Sequence, residues 1–201
     1  MKVVILAGGF GTRMSEYTES IPKPMVLIDD KPILWHVMKI YSKFGYNDFI
    51  IALGYKSEKV KNYFLDYFNS TQDFSLDFDL REIKKFKKKV KEKWKVTLVD
   101  TGVDTMTGGR VKKIEKFINN DEDFMLTYGD GLANVNINNL FNFHKKHKKI
   151  ATVTTVRPAA RFGEFKIKNN KIIDFKEKPQ HNSGWINGGF FVLNKKIFKY
   201  I

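Results

Sequence analysis

The 201-residue chain is long enough for one α/β domain with a sizeable core, and 42% hydrophobic and 14% aromatic residues argue against disorder. It has no Cys, which excludes a disulfide framework, a Cys-based metal site and a Cys nucleophile, and suits a reducing cytoplasm; no apolar run is long enough to span a bilayer. The formal net charge of +14 points either to a phosphate-rich partner or to lysines on solvated faces, and the spread of the Lys excess along the chain favours the latter.

In chain order, residues 3–7 form a continuous apolar run, the pattern of a strand buried on both faces of a parallel sheet, rather than the core of a signal peptide. A glycine-rich loop follows at residues 8–13. Residues 32–44 place Ile33, Leu34, Val37, Met38 and Tyr41 at helical spacing, with Pro32 in the first turn. A short buried strand at 49–53 and a helix at 58–68 complete a β-α-β-α order, which favours a parallel sheet with right-handed crossovers. Residues 74–80 alternate as a half-exposed strand, and residues 81–95 read as a basic, solvated extension interleaved with Ile83, Phe86, Val90 and Trp94. Strands are expected at 96–99, 124–128 and 150–156, and helices at 107–119 and 137–147. Beyond residue 162 the pattern changes to short strands at 163–167, 172–175 and 190–193, then a helix starting near Lys195. There is no internal repeat or linker, so one domain is expected.

Chemistry concentrates where the first strand ends. Gly8-Gly9-Phe10-Gly11-Thr12-Arg13 lets the backbone approach a phosphate and offers consecutive N–H groups as an anion nest. It is neither a Walker A loop nor a dinucleotide fingerprint, because both spacings fail. Pro22-Lys23-Pro24 restricts the backbone around Lys23, and a Lys and an Arg beside such a loop are what charge stabilisation at phosphorus needs.

Together, Leu6-Ala7-Gly8-Gly9-Phe10-Gly11-Thr12-Arg13 and Pro22-Lys23-Pro24 closely resemble the signature of the sugar-nucleotide pyrophosphorylases, a family of sugar-phosphate nucleotidyltransferases. Later segments agree in order: Thr107-Gly108-Gly109-Arg110, Tyr128-Gly129-Asp130-Gly131, Glu177-Lys178-Pro179 and Asn187-Gly188-Gly189. The resemblance covers residues 1–201. It implies an α/β, Rossmann-like mixed, mostly parallel sheet flanked by helices, of the nucleotide-diphospho-sugar transferase type.

The resemblance also implies roles. Leu6, Ala7, Gly8, Gly9, Gly11, Thr12 and Arg13 would hold the triphosphate, with Arg13 neutralising the leaving pyrophosphate. Lys23 would sit at the α-phosphate, and Asp130 would bind Mg²⁺. Thr105, Arg110 and Gly129 would lie against the nucleoside. Glu177 and Lys178 would hold the sugar and its phosphate, with Gly163, Asn187 and Gly188 near the hexose hydroxyls. Arg13, Lys23 and Asp130 are thus the implied catalytic set.

Within the family, Leu34-Trp35-His36, residues 97–102, 106–110 and 186–193 look most like the branch that transfers CMP from CTP to glucose 1-phosphate, with UTP or dTTP as the alternative donor. The implied chemistry is an in-line attack of the sugar phosphate on the α-phosphorus, which needs no general base. That leaves His36, His144, His147 and His181 as bystanders, His36 as packing and His144 and His147 near a helix end that favours a cation. Family members continue past residue 201 and bring a second Mg²⁺-binding Asp, so the resemblance implies a domain over residues 1–201 that lacks its C-terminal segment. The competing expectations are an inactive fragment and a nucleic-acid-binding module led by the basic segment. A homo-oligomer without membrane or nucleic-acid partners is the expected assembly.

Overall fold

A computed structural model describes residues 1–11, 20–86, 92–118, 121–158, 164–176 and 184–201. The chain begins with β1 (Lys2–Ala7), a 3₁₀ turn (Lys23–Met25), the two-residue strands β2 (Leu27–Ile28) and β3 (Lys31–Pro32), and helix α1 (Ile33–Ser42). Next come β4 (Asp48–Leu53), α2 (Ser57–Ser70), the hairpin of β5 (Asp73–Asp77) and β6 (Glu82–Phe86), and β7 (Lys95–Asp100). Two short helices, α3 (Thr107–Lys113) and α4 (Glu115–Ile118), lead to β8 (Asp123–Tyr128), α5 (Ile137–His147) and β9 (Ala151–Val156). The hairpin of β10 (Glu164–Lys168) and β11 (Lys171–Lys176) precedes β12 (Ile186–Asn194) and a closing 3₁₀ helix (Lys195–Lys199).

The main sheet has six strands in the order β7-β4-β1-β8-β12-β9. β1 pairs in parallel with β4 on one edge and β8 on the other, and β7 continues the parallel run beside β4. β12 runs antiparallel between β8 and β9. The apolar side chains of β1 divide by the strand's period of two: Val3, Ile5 and Ala7 enter one core, Val4 the other. The first core packs Leu34, Val37, Met38 and Tyr41 of α1, Val60 of α2 and Ile137 of α5 against the sheet. The second packs Val111, Ile114, Ile118 and Phe198 against Val4, Ile50, Ala52 and Phe124. The expected mixed, mostly parallel sheet with helices on both faces is what forms.

Several boundaries differ from expectation, each for a local reason. Pro32 stands at the N-cap of α1, paired with Leu27, rather than inside the first turn. The strand expected at 74–80 stops at Asp77, whose carboxylate accepts the Asp79 and Leu80 N–H groups and turns the chain into β6. Its residues are exposed throughout rather than half-exposed, because β5 pairs with β6 alone. The basic segment is therefore the second half of a projecting hairpin through Phe86, while residues 87–91 lie outside the described set. Trp94 is not solvated; it packs edge-on against Trp35 and Phe49. The helix expected at 107–119 breaks at Ile114, whose N–H reaches back to Val111. The last helix is a 3₁₀ turn capped by the Asn194 side chain.

His144 corrects another expectation. It is buried under the sheet edge rather than poised as a cation, with Nδ1 against the Thr152 hydroxyl at 2.7 Å and Nε2 3.5 Å from Asp123. Lys149 N–H donates to His147 Nδ1, so His147 Nε2 carries the proton and donates to Thr152, whose hydroxyl is left to donate to His144 Nδ1. Burial lowers the His144 pKa, as do His147 and Lys145, against the opposing pull of Asp123. A folded-state pKa below the unfolded one means stability that is complete above the unfolded value of 6.5 and is lost as pH falls through the folded value. Urea unfolding of the wild type therefore weakens from neutral to mildly acidic pH, and His144→Asn flattens that slope.

Candidate active site

The chain builds β1, β4 and β7 outward in one direction and then crosses over to place β8 on the far side of β1. Loops leaving the carboxyl ends of β1 and β8 therefore diverge, and a crevice opens between them. It holds a pocket of about 290 Å³ lined by residues 6–11, by Lys23 and Pro24, by residues 103–107 and Arg110, and by Tyr128 and Asp130.

Lys23 is delivered by its prolines. Pro22 sets an extended entry and accepts the Met25 N–H, closing a single 3₁₀ turn in which Pro24 is buried. A Cβ on Gly129 would stand 3.1 Å from the Pro24 ring and 3.2 Å from the Leu6 carbonyl, so this glycine lets the β8 loop close on β1. The Gly129 N–H donates to that carbonyl at 2.9 Å. Across this contact the Lys23 ammonium meets the Asp130 carboxylate at 2.5 Å, both side chains about a third exposed to the pocket.

Arg110 forms the floor. Only 5% exposed, it lies within 3.0 Å of five oxygens: the carbonyls of Gly8, Leu53, Gly102 and Val103 and the Thr101 hydroxyl. It thus ties together the ends of β1, β4 and β7. Burial lowers its pKa and Asp100 opposes the shift; the guanidinium stays charged at neutral pH. A Cβ on Gly8 would overlap the guanidinium, so glycine here is demanded by Arg110.

Of the residues singled out in the sequence, Leu6, Ala7, Gly8, Gly9, Gly11, Lys23, Thr105, Arg110 and Asp130 line this one pocket. Gly11 takes a left-handed φ of 68°. Thr105 donates to the Thr101 carbonyl at 2.6 Å and accepts from Lys113. Gly129 packs behind the wall. Asn187 and Gly188 lie on the β12 bulge, where Asn187 donates to the Tyr128 hydroxyl at 3.2 Å and so borders the pocket. Thr12, Arg13, Gly163, Glu177 and Lys178 lie outside the described residues. Sequence reasoning gave no role to Gly54, Thr101 or Tyr128. Leu53-Gly54 repeats the strand-then-glycine pattern of Ala7-Gly8, a signal that could have flagged the first of these.

The chain with this crevice at its switch point belongs to the nucleotidyl transferase family, whose profile matches residues 2–201. It is 49% identical over 201 residues to the glucose-1-phosphate cytidylyltransferase of Salmonella typhimurium, spanning 100% of this chain and 78% of the relative. A probable glucose-1-phosphate cytidylyltransferase of Bacillus subtilis is 48% identical over the same shares. Among solved structures, HddC from Yersinia pseudotuberculosis complexed with GMP-PN has a TM-score of 0.66 at 27% identity, covering 100% of this chain and 79% of its own. A UDP-glucose pyrophosphorylase complexed with UDP-glucose matches in fold, with a TM-score of 0.66 at 20% identity over 98% of this chain and 77% of its own.

Removing the guanidinium leaves several buried carbonyls short of donors. Arg110→Ala is expected to cost about 2–4 kcal/mol, measurable as a lower urea midpoint.

Proposed function

We propose that the chain transfers CMP from CTP to glucose 1-phosphate, giving CDP-glucose and pyrophosphate, as a cytoplasmic enzyme. The observation that carries this reading is near-50% identity along the whole chain to proteins named for that reaction, and nine of the expected site residues line one crevice. The loop at residues 8–11 would take the triphosphate, joined by Thr12 and Arg13. Thr105, Arg110 and Gly129 would border the nucleoside. Asn187 and Gly188, with Gly163, Glu177 and Lys178, would hold the sugar phosphate.

The sugar phosphate attacks with an oxygen that is already anionic, so the chain supplies no base. Lys23 contributes its ammonium to the charge that builds on the α-phosphate, and Arg13 to the departing pyrophosphate. Asp130 presents a partly exposed, hard carboxylate oxygen at the pocket wall, which suits Mg²⁺. Among the described residues no group of three His, Cys, Asp or Glu side chains could hold a metal ion by itself, so Asp130 would hold the ion together with substrate phosphates, where it would supply charge neutralisation.

The assay is pyrophosphate release from CTP, UTP, dTTP, ATP and GTP with glucose 1-phosphate and Mg²⁺. CTP is expected to be the preferred donor, and Lys23→Ala or Asp130→Ala to lower turnover about 10²–10³-fold. Release from none of the five would overturn the reading; release from UTP or dTTP would keep the reaction and change the donor.

Self-association belongs to the same proposal. A two-stranded hairpin is marginal in water by itself, yet β5, β6 and their turn expose Phe74, Leu76, Phe78, Leu80, Ile83 and Phe86. Light scattering is expected to give a mass above one chain for the wild type and a lower mass for Phe78→Asp, whose side chain is 85% exposed here.

A further inference from the structure

We propose that Gly54 and Thr101 are positioning residues for the anion-binding loop, acting through the Arg110 guanidinium; the proposal rests on the triphosphate reading above. The Gly8 carbonyl is held by two donors from elsewhere in the chain, Arg110 Nη2 at 2.8 Å and the Tyr55 N–H at 3.1 Å. In a trans peptide the next N–H points away from the carbonyl it follows. Anchoring the Gly8 carbonyl therefore turns the Gly9 N–H away from Arg110 and Tyr55. That N–H meets no acceptor among the described residues, and Gly9 lines the pocket. Among the described residues, the anchor thus leaves this backbone donor for a phosphate oxygen.

The anchor in turn depends on its seat. A Cβ on Gly54 would overlap the Arg110 guanidinium and stand 2.7 Å from the Gly8 carbonyl oxygen. Gly54 is not among the glycines with positive φ, so its backbone accepts alanine and the conflict is purely steric. Thr101, 1% exposed, donates its single O–H to the Leu53 carbonyl at 2.5 Å, which leaves a lone pair facing Arg110 Nη1 at 2.6 Å. The hydroxyl can then only accept from the guanidinium, which fixes its rotation. The order of dependence runs from Gly54 and Thr101 through Arg110 to the Gly8–Gly9 peptide.

Calorimetric titration of CTP with Mg²⁺ tests this in the wild type, Gly54→Ala, Thr101→Val, Thr101→Ser, Arg110→Ala and the Gly54→Ala/Arg110→Ala pair. Gly54→Ala is expected to raise Kd about tenfold or more, given the coupling typical of residues in contact. In the Arg110→Ala background its further effect shrinks, since the overlap with the guanidinium is gone and only the contact with the Gly8 carbonyl remains. Thr101→Val weakens binding and Thr101→Ser, which keeps the hydroxyl, restores it. Amide exchange at Tyr55 provides a readout without ligand: it quickens in Gly54→Ala as the Gly8 carbonyl moves. Wild-type binding with an unchanged Kd and unchanged Tyr55 exchange in Gly54→Ala overturns the proposal, as does an equal loss in both Arg110 backgrounds. Should Gly54→Ala not fold, equal binding by Thr101→Val and Thr101→Ser overturns it. A wild type that fails to bind CTP rejects the triphosphate reading, and Tyr55 exchange still decides the seat.

Discussion

β1 must be buried on both faces and paired on both edges, and the rest of the arrangement follows from that requirement. Its residues from Val3 to Ile5 are fully inaccessible, so helices have to cover the sheet above and below. β4 and β8 both pair with it in parallel, and strands that extend from it in opposite directions leave a gap at their carboxyl ends. Residues 8–11 of the glycine-rich loop line that gap. The pocket is thus a consequence of strand order before it is a consequence of any particular side chain.

What gives the gap a defined shape is a buried cation solvated by backbone. Arg110 comes from a short helix on the second face of the sheet and reaches through to the ends of β1, β4 and β7. Carbonyl dipoles replace the water that a guanidinium loses on burial, and its planar fork can serve several of them at once. Glycine at positions 8 and 54 makes room for this group. On the opposite wall Lys23 and Asp130 neutralise each other. The two walls differ in kind: Arg110 is locked by protein oxygens, whereas the Lys23–Asp130 pair is partly exposed to the pocket.

The positive charge of the chain plays a smaller part in this arrangement than its size suggests. Many lysines engage nearby carboxylates, as Lys2 does with Asp48 and Lys145 with Asp123, and others lie on the projecting hairpin, over the rings of Phe68 and Phe86. The pocket itself carries Lys23 and Arg110 against Asp104 and Asp130. Its charges are therefore local pairs rather than a field of one sign.

The sequence by itself determined the period and composition of the elements. Residues 3–7 are a continuous apolar run and 124–128 are apolar but for Thr127, the pattern of central strands, while the glycines at 8, 9 and 11 and the prolines on either side of Lys23 marked where the backbone would turn. Those are local signals, written within a few residues. The motifs also pointed to nine of the residues that line the pocket, because their spacing is itself a record of strand ends. Tertiary structure alone decided that β12 inserts antiparallel between β8 and β9, that His144 is buried against Thr152 and Asp123, and that Arg110 serves as an anchor for Gly8. Each of these depends on groups far apart in the chain. Residues 8, 54, 101 and 110 share no periodicity, and only folding the strand ends together brings a guanidinium and four carbonyls within hydrogen-bond reach.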